Sequence, residues 1–260
     1  MDTQQRKKFK ILLLGDSCKD IYHYGVCDNI SPEAPVPILR QTRTVTKPGM
    51  SANVFGNLLA FGIEVDHLTN DDKIEKHRFI DERYNQHLLR HDIGEEKKLA
   101  PLNLELIDES RIYDAIVISD YNKGFLREVQ CSYICQLYDK IPIFVDTKKN
   151  NLTCFYKCVI KINEKEHKEI QEFPINSEFI VTLGAKGALY NHKHFFHTRP
   201  IEVFDVCGAG DVFLAALVYG FLSTKSMHQA IELANECARI SVSKMGTYTL
   251  SQKDIHDICI

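Results

Sequence analysis

No apolar run near the amino terminus exceeds the four residues Ile11 to Leu14, which stop at Gly15-Asp16. That is far short of a signal-peptide core or a membrane span, so the reading is a cytosolic chain with no membrane partner. Neither sign of charge dominates: 32 basic and 35 acidic residues leave a net charge of −3. The one basic run, Arg6-Lys7-Lys8, is too short for a polyanion-binding arm and reads as a solvated terminus, which excludes nucleic acid as an expected partner. Repeats, low-complexity tracts and linkers rich in Gly, Ser or Pro are missing, so residues 1–260 read as a single domain. The phosphate-binding fingerprints Gly-x-x-x-x-Gly-Lys-Ser/Thr and Gly-x-Gly-x-x-Gly are absent as well. With 44% hydrophobic and 26% charged residues the chain is neither disordered nor collagen-like. At this length roughly 70–75% of the unfolded surface can be buried, enough for a core without disulfides or metals.

Nine cysteines, an odd number spread from Cys18 to Cys259, suit reduced thiols. Cys131/Cys135 and Cys154/Cys158 make two C-x-x-x-C pairs, the raw material of a tetrathiolate zinc site. Cys131 and Cys135 fall in a helical pattern, however, where a spacing of four means only a shared face. Buried free thiols are the preferred reading and no metal is assigned there. His192, His194 and His197 share one polar stretch and read as exposed loop residues.

Short apolar runs alternate with helical spacing. Ile11–Leu14, Val65–Leu68, Ala115–Ser119, Ile143–Asp146, Val159–Ile162 and Phe179–Leu183 read as strands, several apolar on both faces, as central parallel strands are. Ser51–Phe61, Phe125–Leu137, Ala209–Leu222 and Met227–Lys244 read as helices, with Gly62 and Gly124 at boundaries. The alternation predicts an α/β fold with a parallel sheet. Tyr22–Thr46, with prolines at 32, 35 and 37, and Arg78–Asp92 break the rhythm and read as extended strands of a small accessory sheet.

The segment richest in chemistry is Phe204-Asp205-Val206-Cys207-Gly208-Ala209-Gly210-Asp211, directly ahead of an apolar helix. Glycines let backbone amides approach a ligand, and amides at a helix N-terminus favour an anion, so Gly208, Ala209 and Gly210 form a candidate phosphate or oxyanion cradle. Asp211 faces the same anion and is placed to accept the proton of an attacking hydroxyl. The competing reading is a Gly-rich turn with an aspartate in the first turn of a helix.

Asp205–Asp211 resembles the C-terminal signature of the ribokinase-like (PfkB) sugar kinases, Asp-Thr-x-Gly-Ala-Gly-Asp, with Val206 for Thr. Pro48-Gly49-Met50-Ser51-Ala52-Asn53 is similar to that family's Gly-Gly-x-x-Ala-Asn sugar-binding turn. Asn163-Glu164-Lys165-Glu166 resembles its Asn-x-x-Glu motif, and Val181-Thr182-Leu183-Gly184-Ala185-Lys186-Gly187 its strand and turn beside the nucleotide. All four occur in the family's order. A narrower resemblance, to bacterial heptose 7-phosphate kinases of ADP-heptose synthesis, is carried by Gly15-Asp16 with Asp20, Tyr24-Gly25, Ile30–Pro37, Asn85–Arg90, Ser119–Gly124, Asp146–Lys148 and Lys244–Thr247.

The resemblance implies a ribokinase-like, mostly parallel central sheet flanked by helices, with a small β-sheet lid from about 17–47 and 76–94. It implies ATP and Mg2+ as cofactors and a small sugar or sugar phosphate as partner. Asp211 would be the base, with the amides of Gly208, Ala209 and Gly210 holding the transferring charge. Asn163 and Glu166 would organise Mg2+ through water, and their alternative is a strand end followed by a helix cap. Asp16, Asp20, Gly49 and Asn53 would meet the sugar, their alternative being turn and cap chemistry. Arg90, Asp120, Lys123 and Lys148 would lie near the substrate or its phosphate, against the default of a solvated charge for each cation. Thr182, Gly184 and Gly187 would line the nucleotide, with Asn235 and Gly246 on its adenine side.

Three departures from the pattern stand out. Met50 replaces a glycine of the sugar turn and is expected to push a side chain into the pocket. Asn29 stands where the heptose kinases carry an arginine, which removes a bidentate phosphate partner. Few residues separate Leu68 from the Arg78 strand, and Glu166 from the Phe179 strand, so two scaffold pieces are expected to be trimmed and the exposed edges covered by a homodimer through the accessory sheet. Two other functions compete: a non-catalytic ligand-binding relative, and a kinase of another small alcohol such as a nucleoside or hydroxymethyl-pyrimidine.

Overall fold

A computed structural model describes residues 8–71 and 73–259. Arg6 and Lys7 of the basic run lie outside the described residues, and Lys8 is exposed. In chain order the elements are β1 (Lys10–Gly15), β2 (Ser17–Ile30), β3 (Pro37–Met50), α1 (Ser51–Ala60), β4 (Glu64–Thr69), β5 (Glu75–Asp81), β6 (Gln86–Ile93), β7 (Ala115–Asp120), α2 (Glu128–Leu137), β8 (Ile143–Thr147), β9 (Val159–Asn163), α3 (Glu164–Lys168), β10 (Glu178–Thr182), β11 (Ala188–Tyr190), β12 (His194–Phe196), α4 (Ala209–Thr224), α5 (Met227–Val242) and α6 (Gln252–Cys259).

Two sheets result. The large one runs β12-β11-β10-β9-β8-β7-β1-β4, parallel from β4 through β10 and antiparallel at the β11 and β12 edge. Alternation along β1 explains its two-sided burial. Ile11 and Leu13 join the apolar layer built with α1, α4, α5 and α6, while Leu12 and Leu14 join the opposite layer with α2. Helix α4 is the keystone of the first layer: Val212 to Val218 are buried without interruption, each large apolar side chain contributing about 1.5–3 kcal/mol. This is an α/β arrangement with helices on both faces of a mostly parallel sheet.

The small sheet has the order β3-β2-β5-β6. Strands β2 and β3 pair antiparallel from Ser17 opposite Met50 to Ile30 opposite Pro37. Arg78–Asp92, read as extended and part of a small accessory sheet, falls in a hairpin of β5 and β6 whose turn holds Asn85 in the left-handed region, a conformation asparagine tolerates. The other boundaries shift in physically readable ways. Phe125 and Leu126 are buried loop anchors ahead of α2, which starts only at Glu128, and α5 ends at Val242. Strands of three residues, β11 and β12, are too short to show a period.

The four paired cysteines meet in one apolar layer: Cys135 Sγ lies 3.5 Å from Cys158 Sγ, and Cys131 lies beside Cys154. Among the described residues no group of three or more His, Cys, Asp or Glu side chains is arranged to hold a metal. No helix among the described residues is long and apolar enough to cross a membrane.

Candidate active site

The carboxyl ends of β1, β7, β8, β9 and β10 converge where open α/β sheets hold their ligands. They deliver Asp16, Asp120, Asp146, Asn163 and Thr182, and the N-terminus of α4 approaches Asp146 and lines one cavity with Thr182. Gly208 is the N-cap of α4 with φ 77°, and a Cβ there would stand 2.7 Å from Asn53 Nδ2, so only glycine fits. The amides of Gly208 and Gly210 donate to no acceptor among the described residues. That of Ala209 reaches the Val206 carbonyl at 3.3 Å. Two open N–H groups at the positive end of a four-turn helix make an anion cradle.

Asp211, next in the chain, is 2% exposed. Asn53 Nδ2 donates to its Oδ2 at 2.9 Å and the Tyr121 hydroxyl donates to its Oδ1 at 2.7 Å. Burial pushes the Asp211 carboxyl up from 3.8 to about 6; the hydrogen bonds from Asn53 and Tyr121 work against the rise, Asp146 adds to it and Lys161 opposes it. Such a group is ionised at neutral pH yet basic enough to accept a hydroxyl proton.

On one side of the cradle lies a cavity of about 410 Å³. Ala209, Gly210 and Phe213 form its inner end, Thr182, Gly184 and Gly187 one wall, and Asn235, Ala238 and Val242 another. On the other side the small sheet presents Asp20, gripped by the Arg78 guanidinium at 2.9 Å, with both groups buried. Gly49 allows that approach, since a Cβ there would stand 2.4 Å from Asp20 Oδ2. Asp16 is buried too. Its Oδ2 accepts the amides of Tyr121 at 2.7 Å and Lys123 at 3.3 Å, while Oδ1 has no partner. Burial, with the Asp120 charge next, lifts the Asp16 carboxyl from 3.8 to about 6.

Residues 159–254 match the model of the pfkB family carbohydrate kinases. The chain is 30% identical to the bifunctional protein HldE of a Nitratiruptor species over 300 aligned positions, covering 96% of this chain and 65% of that one. Residues 159–254 carry the pfkB-family carbohydrate kinase signature. The chain spans slightly under two thirds of that relative's length. The fold is similar to that of phosphofructokinase-2 from Escherichia coli, with TM-score 0.72, 17% identity and coverage of 96% of this chain and 97% of that one. It is also similar to Arabidopsis thaliana ribokinase complexed with ribose and ATP, with TM-score 0.68, 14% identity and coverage of 96% and 98%.

The motif residues gather unevenly. Asn163 and Glu166 form a reciprocal capping box on α3: Glu166 N–H donates to Asn163 Oδ1 at 2.9 Å and Asn163 N–H to Glu166 Oε2 at 2.8 Å. Glu166 Oε1 is held by Lys148. Burial works against the Lys148 charge, but Asp146 and Glu166 keep it above its usual value. The Asp120 carboxylate is fully enclosed, with Thr147 Oγ1 at 2.7 Å and Lys149 Nζ at 2.8 Å, and braces the ends of β7 and β8 instead of facing the pocket. Lys123 is paired with Glu95 at 2.6 Å, and Arg90 is exposed and paired with Asp92 at 2.8 Å. Asn235 lines the cavity while its Nδ2 donates to the Phe196 carbonyl at 3.1 Å. Gly246 lies outside the cavity wall: its amide donates to Asp205 at 3.0 Å, and a Cβ there would stand 2.8 Å from the Tyr22 ring.

Two of the departures also have a location. Met50, at φ 57° and ψ −134°, holds a backbone conformation natural to glycine, and its side chain is buried in the apolar layer with Leu12, Cys18 and Ile74. The expected intrusion into the pocket is thereby corrected: the side chain is accommodated by the core. Asn29 is exposed near the far end of β2. Four site residues escaped sequence reasoning, namely Arg78, Tyr121, Asp146 and Lys161. The available signal was a charge inside an apolar strand, as in Val159-Ile160-Lys161-Ile162 and Ile143-Phe144-Val145-Asp146.

Proposed function

We propose that the chain is an ATP- and Mg2+-dependent sugar kinase of the cytosol that transfers the γ-phosphoryl group to a sugar or sugar-phosphate hydroxyl. Heptose 7-phosphate is the favoured acceptor. The observation that carries this reading is the buried Asp211 carboxylate, held by Asn53 and Tyr121 beside the open amides of Gly208 and Gly210 at the inner end of a cavity of about 410 Å³. The pfkB match, the HldE relative and the likeness to a ribokinase described with ribose and ATP support it.

In this reading the adenosine occupies the cavity between Gly184, Gly187 and Asn235, and the phosphates run toward the α4 N-terminus. Asp211 takes the proton of the attacking hydroxyl, contributing about 10²–10⁴ in rate. The Gly208 and Gly210 amides meet the charge on the transferring group, which needs positioning and electrostatics more than covalent help. The free Oδ1 of Asp16 and the Arg78-braced Asp20 receive sugar hydroxyls beside Gly49. Lys148 and Lys123 supply positive charge at the rim, and the exposed Arg90 would have to leave Asp92 to join them.

For Mg2+ the donor set is thin. Asn163 Oδ1 and both Glu166 oxygens already accept hydrogen bonds, but each keeps a further lone pair, which suits an ion carried by the phosphates and reached through water. Bound there, the ion would supply charge neutralisation on the phosphate oxygens. The small sheet exposes Ile30, Ile38, Leu89 and Ile93, and a homodimer through that sheet is the proposed assembly. A second reading, a non-catalytic binding protein, is favoured by the strained Met50 in the sugar turn.

A panel of sugars and sugar phosphates with ATP and Mg2+, followed by ADP release, separates these. Turnover on heptose 7-phosphate supports the favoured acceptor, and turnover on a nucleoside or hydroxymethyl-pyrimidine replaces it. Nucleotide binding with no turnover on any acceptor leaves the binding protein.

A further inference from the structure

Beneath the anion cradle lies a charged pair that the reading above does not employ. Lys161 on β9 and Asp146 on β8 are directly opposed in the parallel register, point into the apolar layer under α4, and are 3% and 4% exposed. Lys161 Nζ donates to Asp146 Oδ2 at 2.6 Å. The valences do not close. A lysine ammonium has three N–H donors, and this one has a single acceptor among the described residues. Asp146 Oδ1 is buried with no partner at all.

Burying two ions costs several kcal/mol each, which their attraction offsets only when the remaining donors and lone pairs are satisfied. An ion pair left open on one side therefore faces something else. Its open side is the cradle: a Cβ on Gly210 would stand 2.8 Å from Lys161 Nζ. The missing side chain of Gly210 thus leaves the ammonium against the same backbone whose amide has no acceptor.

We infer that Lys161 is an anion-binding residue for the terminal phosphoryl group, held by Asp146 until the nucleotide arrives. This rests on the kinase reading and deepens it. The Gly208 and Gly210 amides contribute partial charges, whereas Lys161 contributes a full one from within the protein, where water screens it least. Asp146 fixes the ammonium below the helix start and keeps the empty site near neutrality. A contact to the terminal phosphoryl distinguishes a triphosphate from a diphosphate, and a structural ion pair does not.

The test is calorimetric binding of ADP and of the non-hydrolysable triphosphate AMP-PNP, each with Mg2+, to the wild-type chain and to Lys161→Met. The double variant Lys161→Met/Asp146→Leu replaces the pair with apolar groups of similar size and keeps the fold where the single change strands a carboxylate. A charged hydrogen bond is worth at least about tenfold in affinity. In either variant AMP-PNP binding is expected to weaken tenfold or more with ADP binding within twofold, and Lys161→Arg is expected to recover part of the difference. Equal affinity changes for the two nucleotides in a folded variant overturn the inference and leave the kinase reading standing. Failure of the wild-type chain to bind either nucleotide overturns the kinase reading itself.

Discussion

At the residue scale, Asp211 is where activity and stability oppose each other. Its carboxyl titrates at about 6 in the folded chain against 3.8 ordinarily, with burial as the first cause. The folded state therefore binds the proton more readily than the unfolded state, and stability falls as pH rises from about 4 to 6. Above that window the ionised form costs about 3 kcal/mol at 1.36 kcal/mol per pH unit. Asp211→Asn is expected to raise the melting temperature at pH 8 and leave it nearly unchanged at pH 4, in paired calorimetric scans. Catalysis has the opposite requirement, because only the carboxylate accepts a proton. The kcat of the wild-type chain is expected to fall below about pH 6, and a rate flat from pH 5 to 8 would remove Asp211 as the base. Met50 sets two other magnitudes against each other. Its backbone strain is about 1–3 kcal/mol, but cutting a buried methionine back costs about 2–5 kcal/mol. Packing wins, so Met50→Gly is expected to lose about 1–3 kcal/mol in urea titrations despite restoring the glycine of the turn.

At the scale of elements, the small sheet and the loop after α5 are tied together by hydrogen bonds. Thr247 N–H donates to Tyr22 Oη at 2.8 Å, and Lys47 Nζ donates to the carbonyls of Met245 and Thr247 at 3.0 and 2.9 Å. Tyr22→Phe leaves that amide without its acceptor, a loss of about 1–3 kcal/mol. Its expected signature is faster hydrogen exchange in 245–249 with the β1, β7 and β8 amides unchanged. Elements of this kind were legible in the sequence to different depths. The parallel core was readable because Ile11–Leu14 and Ala115–Ser119 are apolar on both faces. The cradle was readable because its two glycines precede an apolar helix. Lys161 and Asp146 were not, since a parallel register places them side by side and no linear spacing between residues 146 and 161 records it. Tyr121 reaches Asp211 across 90 residues of chain, and Arg78 reaches Asp20 across 58, for the same reason. Asp120 shows the converse, a motif residue whose carboxylate is used up in bracing two strands.

For the whole molecule, the 300-position alignment to the HldE relative is longer than this 260-residue chain, so at least forty positions of the relative have no counterpart here. The short passages are visible in the fold: β4 leads almost directly into β5, and α3 is a helix of five residues before β10. The cradle, the cavity and the Asp211 contacts are nonetheless intact. Part of the uncovered apolar surface is on the small sheet, where Leu89 and Ile93 are 59% and 43% exposed. Light scattering at micromolar concentration is expected to give a dimer mass that Leu89→Asp reduces to a monomer, and a monodisperse wild-type monomer would refute the proposed interface. The activity proposed for the molecule is a base-driven phosphoryl transfer to a sugar at Asp211. Its most direct test is phosphorus NMR of heptose 7-phosphate mixed with ATP, Mg2+ and either the wild-type chain or Asp211→Asn. A new sugar phosphate ester appearing with ADP, absent from the variant although it still binds ATP, is the predicted result. Equal ester formation by both proteins, or none by a nucleotide-bound wild type with any acceptor of the panel, would contradict it.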